Sequence, residues 1–437
     1  MNWLFSWIIA LLVTLPASFR VAEFSGKPVD IVGSDLLFLL LIFIPRRGDL
    51  VIPSGIVLRR FSIVRVTAAV ALIYCLSIAG IAYAQSSELG RIVSAVKFAK
   101  PLAFVGLGAY IASVMSPLPT LRRIVIAFAG MSVATFATAV MTPGFPQVAW
   151  GKYLFGFPLY GYPNSAMTLF ALMVPLLMAA ADIRVTKIGK WVLRGIAMLT
   201  GMMVVLSLSR SSTAVMVIGV LIYLFLTGRV YLPLFAATMG IFLLASMSSM
   251  LDSVLGNHDV MMWVERLTRR TSQTVGGGDH LSGRGEIWAV TIDLWSARPM
   301  LGYQFESFSN FAEFDTPHQQ YLEVLFKSGA IGLTLYMGVL LFAWSGLGHI
   351  TRFTTPRTEA WYLFNGLIAG FTATMVGNLS QPNLTYSVTG NFLFFAVGLT
   401  LTKQMAAALV PPSQPEIPYE VARRSPFSPA IPNMRAT

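Results

Sequence analysis

Apolar runs close to the roughly twenty residues that cross a bilayer as a helix recur from one end of this chain to the other. That recurrence limits the fold more than any motif does, because lipid tolerates only backbone that satisfies its own hydrogen bonds. The expected fold class is all-α, a polytopic integral membrane protein with about twelve transmembrane helices and a large outward loop carrying short helices. The spans fall at 3–17, 31–45, 66–84, 96–114, 124–141, 166–181, 192–208, 214–226, 232–247, 321–344, 361–376 and 388–401. The span at 214 is short and the one at 321 long, which points to tilt or a re-entrant piece. Charged residues make up 11% of 437, against about 25% in a soluble protein. No basic residue precedes the first apolar run, MNWLFSWIIALLVTLPASF, so it reads as a retained helix and not a cleaved leader. The single Cys75 sits in an apolar run and reads as packing.

The net charge of +12 is therefore a topology signal before it is a sign of nucleic-acid binding, for which nothing else in the sequence argues. With the N-terminus in the cytoplasm, every inward connection carries basic residues. They are Arg46, Arg47, Arg59, Arg60 and Arg65; Arg122 and Arg123; Arg184, Lys187 and Lys190; Arg229; Arg352 and Arg357; and Lys403, Arg423 and Arg424 in the tail. Arg20 and Lys27 run mildly against this pattern. The chain divides into nine spans in 1–250, a periplasmic loop with amphipathic helices in 251–317, three spans in 318–402, and a tail at 403–437. The tail is rich in Pro and Ser, without periodicity, and is expected to be disordered.

Outward placement of the long loop leaves arginines on the side that normally avoids them. Arg266, Arg269 and Arg270 belong to DVMMWVERLTRRT, whose Val260, Trp263, Val264 and Leu267 form an apolar stripe suited to lying on the membrane surface. Arg210 and Arg284 differ, because each stands at a helix start: SLSRSST offers Ser211, Ser212 or Thr213 as a cap, and Ser282-Gly283-Arg284 opens a helical pattern. A helix N-terminus presents unpaired N–H donors, and an adjacent guanidinium adds a two-point fork for an anion such as pyrophosphate. The bland alternatives are a snorkelling end-cap for Arg210 and a salt bridge to Glu286 for Arg284.

Thr316-Pro317-His318-Gln319 precedes the span at 321 and reads as a capping box, with Thr316 as N-cap and Gln319 closing it. This puts His318 in the first helical turn at the water interface, where the helix dipole favours the neutral ring. A plain helix cap is the other reading of that histidine. Glu323 and Lys327, four apart in the same helix, can neutralise each other within the span. Asp35 has no evident partner. Metal spacings, a P-loop and a G-x-S-x-G elbow are all lacking in the sequence, and no internal repeat of the transporter kind is visible.

SLSRSS, SGRGEIW, RPMLGYQFESF and HQQYLEVLFKSGAIGL, in that order, resemble the O-antigen ligase and polymerase superfamily of membrane glycosyltransferases. Arg210, Ser282, Gly283, Arg284, Trp288, Pro299, Gly302, His318, Tyr321, Leu322, Gly329 and Gly332 carry the resemblance, while Gln319 stands where many relatives have Asn. The resemblance implies transfer of a glycan from an undecaprenyl-pyrophosphate-linked donor to an acceptor hydroxyl, inverting, without metal or other cofactor. In it His318 is the base or the group orienting the acceptor, and Arg210 and Arg284 hold the pyrophosphate. Ser282, Trp288, Tyr321 and Glu323 support them. The implied setting is a bacterial inner membrane, with both termini cytoplasmic and a periplasmic active site. The implied partners are the lipid-linked glycan, an acceptor glycan, membrane lipids, a chain-length regulator and a flippase. Polymerisation of exopolysaccharide or O-antigen repeats is favoured over ligation to lipid A core, because no motif for that acceptor is visible. Transport of such lipids is a third reading, weakened because the candidate residues gather at one membrane face.

Overall fold

A computed structural model of the chain describes residues 2–15, 18–24, 27–40, 56–86, 89–141, 153–154, 157–158, 163–184, 186–207, 209–229, 284–314, 316–385 and 387–401. The architecture is a helical bundle with two short antiparallel hairpins between helices. Its helices are α1 (Asn2–Thr14), α2 (Leu36–Leu40), α3 (Ile56–Ser86), α4 (Leu89–Val114), α5 (Pro117–Met141), α6 (Pro163–Ile183), α7 (Lys187–Leu206) and α8 (Arg210–Leu226). After them come α9 (Arg284–Ala297), α10 (Gln320–Phe353), α11 (Glu359–Gly377) and α12 (Ser387–Thr400). Among the described residues six helices are long and apolar enough to cross a membrane, those within α3 to α7 and α10, and parts of α1, α8 and α12 are shorter apolar helices. About twelve spans are thus supported only in part, and the span expected at 232–247 lies outside the described residues.

The second span departs from expectation at its start. Residues Ser18–Phe24 and Lys27–Val32 pair as strands β1 and β2, Ser18 opposite Val32 and Phe24 opposite Lys27, with a register shift between Arg20 and Ala22. The sequence there alternates apolar and polar residues around Ser25-Gly26, a hairpin pattern that an apolar window blurs. A second pair, Tyr153–Leu154 and Phe157–Pro158, follows α5.

Two chemistries hold the bundle together. Small residues let helices approach: at Gly108 of α4 and Gly398 of α12, an added Cβ would overlap the other helix's backbone. Outward faces stay apolar, with Met198 78% and Ile73 63% exposed, as suits helices solvated by lipid. Buried charge is paired. Asp182, nearly inaccessible, accepts from Arg194 at 3.2 Å, Arg229 at 2.5 Å and the Tyr223 hydroxyl at 2.9 Å, joining the ends of α6 and α8 to the first half of α7. Asp35, whose partner the sequence left open, binds Lys100 at 2.9 Å and Asn391 Nδ2 at 3.2 Å, tying the chain after β2 to α4 and α12.

These ties sort the helix ends. Arg122 pairs with Glu359 at 3.4 Å and Arg123 donates to Ser6, so α1, α5 and α11 begin at one end of the bundle. The starts of α8, α9, α10 and α12 gather at the other end, around residues 378–385 between α11 and α12.

The long tenth helix resolves the length mismatch in an unforeseen way. At about 1.5 Å per residue its 34 residues exceed a bilayer core of about 30 Å. It is broken at Gly329, where φ is 66° and ψ −168°. The break frees backbone groups that the loop 298–305 satisfies: Tyr303 N donates to Phe326 O at 2.8 Å, Phe305 N to Lys327 O at 3.1 Å, and Ala330 N to Pro299 O at 2.8 Å. Gln304 and Phe305 take positive φ to make this pairing, and Gly302 does so with its α-carbon against the Phe326 carbonyl. Above the break, residues 320–328 form a stub. Tyr303 stacks on Phe326 at 4.8 Å, while Ile287, Phe308 and the partly buried Trp288 complete a small apolar cluster.

Candidate functional site

The site is built on the turn 378–385, a run of polar residues lodged between two buried apolar helices. Tyr321 at the top of the stub donates to Met375 O at 2.7 Å, so the end of α11 and the start of α10 are locked together. The Gln320 amide nitrogen donates to Asn378 O at 3.0 Å, and its side-chain oxygen accepts from Leu384 N at 3.2 Å and Thr385 N at 3.0 Å. Gln320 and Asn378 are both fully buried.

Two arginine-bearing helix starts meet at this turn. Arg284, the first residue of α9, donates through Nη1 to the Ser380 carbonyl at 2.9 Å. Ser380 Oγ lies 3.1 Å from Ser211 Oγ, the residue after Arg210 at the head of α8. Ser209 proves to be the N-cap of α8 in place of Ser211, Ser212 or Thr213; its hydroxyl accepts from Ser212 N at 3.4 Å. With the cap two or more residues earlier than expected, Ser211 and Ser212 lie inside the helix with their side chains buried. Ser212 Oγ sits 2.8 Å from Ser209 Oγ and 3.1 Å from Thr168 Oγ1, and Thr168 donates to Asn383 Oδ1 at 3.1 Å. A chain of hydroxyls and amides thus runs from the head of α8 through α6 to the turn. Sequence reasoning missed this network, although the polar run NLSQPNLT between two spans was its visible signal.

The histidine stands just outside the helix that it was expected to begin. Gln319, not Thr316, is the N-cap: its φ of −148° is extended and its amide oxygen accepts from Leu322 N at 2.6 Å. His318 precedes it with φ 52°, a left-handed conformation that ends any helix, and its side chain is exposed. Thr316 Oγ1 accepts from His318 N at 3.3 Å and lies 3.4 Å from its Nδ1. The helix starts late because Gln319 supplies the side-chain acceptor itself. His318 remains tied to the turn through Gln320, two residues on.

Glu323 and Lys327 form the i, i+4 ion pair that their spacing predicted, with Glu323 only 4% exposed. The pair's second oxygen, Glu323 Oε2, is buried and has no hydrogen-bond partner among the described residues; neither do Gln320 Nε2, Asn383 Nδ2 or either side-chain polar atom of Asn378. Buried polar atoms without partners are rare in native proteins, so this concentration marks a place built to meet a polar molecule or water. Trp288 packs in the apolar cluster over the stub, Tyr321 is a strut, and Ser282 lies outside the described residues, as do Arg266, Arg269 and Arg270.

Residues 195–337 match a family model described as O-antigen ligase. The match runs from within α7 to within α10 and bears out the resemblance of the chain to the O-antigen ligase and polymerase superfamily. Arg210, Arg284 and His318 fall inside it, whereas the turn 378–385 lies beyond it. No curated protein matches the chain.

Proposed function

We propose, with this family as the premise, that the chain transfers glycan from an undecaprenyl-pyrophosphate-linked donor to an acceptor hydroxyl on the outer face of a bacterial inner membrane. The observation that carries the proposal is the meeting on the single turn 378–385 of three helix starts, two opening on Arg210 and Arg284 and the third preceded by His318. The starts of α8 and α9 meet at one turn, and helix starts that open on arginine suit the two phosphates of the donor. As the acceptor oxygen bonds to the anomeric carbon from the face opposite the leaving group, the carbon–oxygen bond to pyrophosphate breaks and the configuration inverts. His318 takes the acceptor proton or orients the hydroxyl, while the arginines stabilise charge gathering on the pyrophosphate, with no metal in the step. Glu323, Trp288, Tyr321 and Ser282 act in support, the first three by holding the stub and α9.

Polymerisation of exopolysaccharide or O-antigen repeats, with a chain-length regulator and a flippase as partners, is the reading we favour over ligation to lipid A core. Transport of the lipid-linked glycan would draw on the break in α10. Yet the backbone groups freed there are closed by the loop 298–305 and do not line a path, which favours the enzyme. Reconstituted protein given the lipid-linked repeat unit alone is expected to make a polymer ladder. Product formed only when lipid A core is added would assign it as a ligase. Neither product, with donor carried across the membrane instead, would overturn the transferase reading.

A further inference from the structure

The end of the bundle opposite this site carries a cleft of about 610 Å³ between the last turns of α10 and the first turns of α11, with Leu226 of α8 at its edge. Its walls include Trp344, His349 and Arg352 from α10 and Trp361 and Asn365 from α11. Among the described residues lining it none is acidic, and Arg352 is exposed and makes no ion pair. Asn365 is 2% exposed, yet its Nδ2 has no hydrogen-bond partner among the described residues. A buried amide donor beside a cation calls for an acceptor, ideally an anionic one.

The surroundings say what kind of molecule brings that acceptor. Trp344 is 42% exposed, and its indole N–H is fixed by Thr372 Oγ1 at 2.9 Å, so the ring stands rigidly at the cleft mouth. Two tryptophans flanking a cationic group at a helix end match the level of lipid headgroups. One turn further into the bundle the same faces become apolar and open: Leu341 is 49%, Leu221 43% and Phe225 68% exposed. The surface therefore grades from cationic and hydrogen-bonding at Arg352 to wholly apolar at Leu341, about three helical turns along α10, the profile of an amphiphile with an anionic head.

We propose that this cleft binds an anionic phospholipid, its phosphate on Arg352 and the Asn365 amide and its chains along Leu341 and Phe225. Basic pockets between membrane helices are suited to such headgroups.

The test uses purified full-length protein in detergent, with lipid retention followed by native mass spectrometry. Phosphatidylglycerol is expected to remain bound where phosphatidylcholine washes away, and millimolar inorganic phosphate is expected not to displace it. Arg352→Gln should weaken phosphatidylglycerol retention about five-fold, the effect of one basic group beside an anionic lipid. That side chain is exposed and its loss is no threat to folding. Lys187→Gln, a charge removed at the start of α7 outside the cleft, should leave retention unchanged. Equal retention of both lipids, no effect of Arg352→Gln, or equal effects of the two substitutions would each overturn the proposal. Displacement by inorganic phosphate would overturn it too, assigning the cleft to a soluble anion.

Discussion

Gly329→Ala is expected to damage this protein far more than one methyl group ordinarily would. Gly329 sits where α10 breaks, at φ 66° and ψ −168°, a region that is essentially closed to residues with a Cβ. Forcing alanine there costs about 1–3 kcal/mol in backbone strain. Its Cβ would also overlap the carbonyl of Met300 and the amide of Leu301, backbone atoms that cannot swing aside as a side chain can. Overpacking of that kind adds about 1–3 kcal/mol, so strain and overlap together reach about 2–6 kcal/mol. Relief requires the loop 298–305 to lift, which breaks its hydrogen bonds to Phe326 and Lys327 and unstacks Tyr303 from Phe326. The stub carrying Gln319, Gln320 and Glu323 then loses its support, so transfer activity should fall with stability. Gly338→Ala in the same helix is the control, since its added Cβ would meet only Thr67 Cγ2 at an ordinary 3.6 Å. Thermal melts of both variants in detergent, alongside in-cell glycan production, read the difference. Equal melting temperatures for the two would refute the claim that the break is a built feature.

Arg284→Ala should weaken donor binding by about 10–100-fold, the worth of one charge-assisted hydrogen bond lost from a shielded site, while the protein stays inserted. Arg284→Lys should restore part of that, because an ammonium lacks the planar two-point fork; Arg210→Ala should behave similarly, and undiminished donor affinity in both alanine variants would remove the pyrophosphate role. His318→Ala should lower the transfer rate by about 10²–10⁴-fold at unchanged donor affinity. His318→Gln then separates the two roles of the ring, near-normal turnover meaning that it only orients the acceptor. Reporter fusions after Thr271 and at the C-terminus should read outside and inside respectively, and a cytoplasmic signal at Thr271 would reverse the topology.

Much of this molecule is local in its physics and was legible in the amino-acid string. Apolar length alone placed α3 to α8 and α10 to α12 to within a few residues at most ends, because a membrane helix satisfies its backbone within itself. The Glu323–Lys327 pair followed from spacing alone, and the four motifs of the second half carried the family resemblance. Caps were near misses. Ser209 stands in place of the expected Ser211, Ser212 or Thr213, and Gln319 in place of Thr316, since several neighbouring side chains could accept the same N–H and only the path of the preceding chain selects one.

Tertiary structure alone decided how the helix starts become one site. Arg284 and Ser380 lie 96 positions apart, and Thr168 and Asn383 lie 215 apart. No period or propensity links residues at such separations. The break at Gly329 belongs to the same class. A glycine within an apolar run reads as helix, and only a loop able to accept and donate to the freed backbone makes the broken form stable in a place without water.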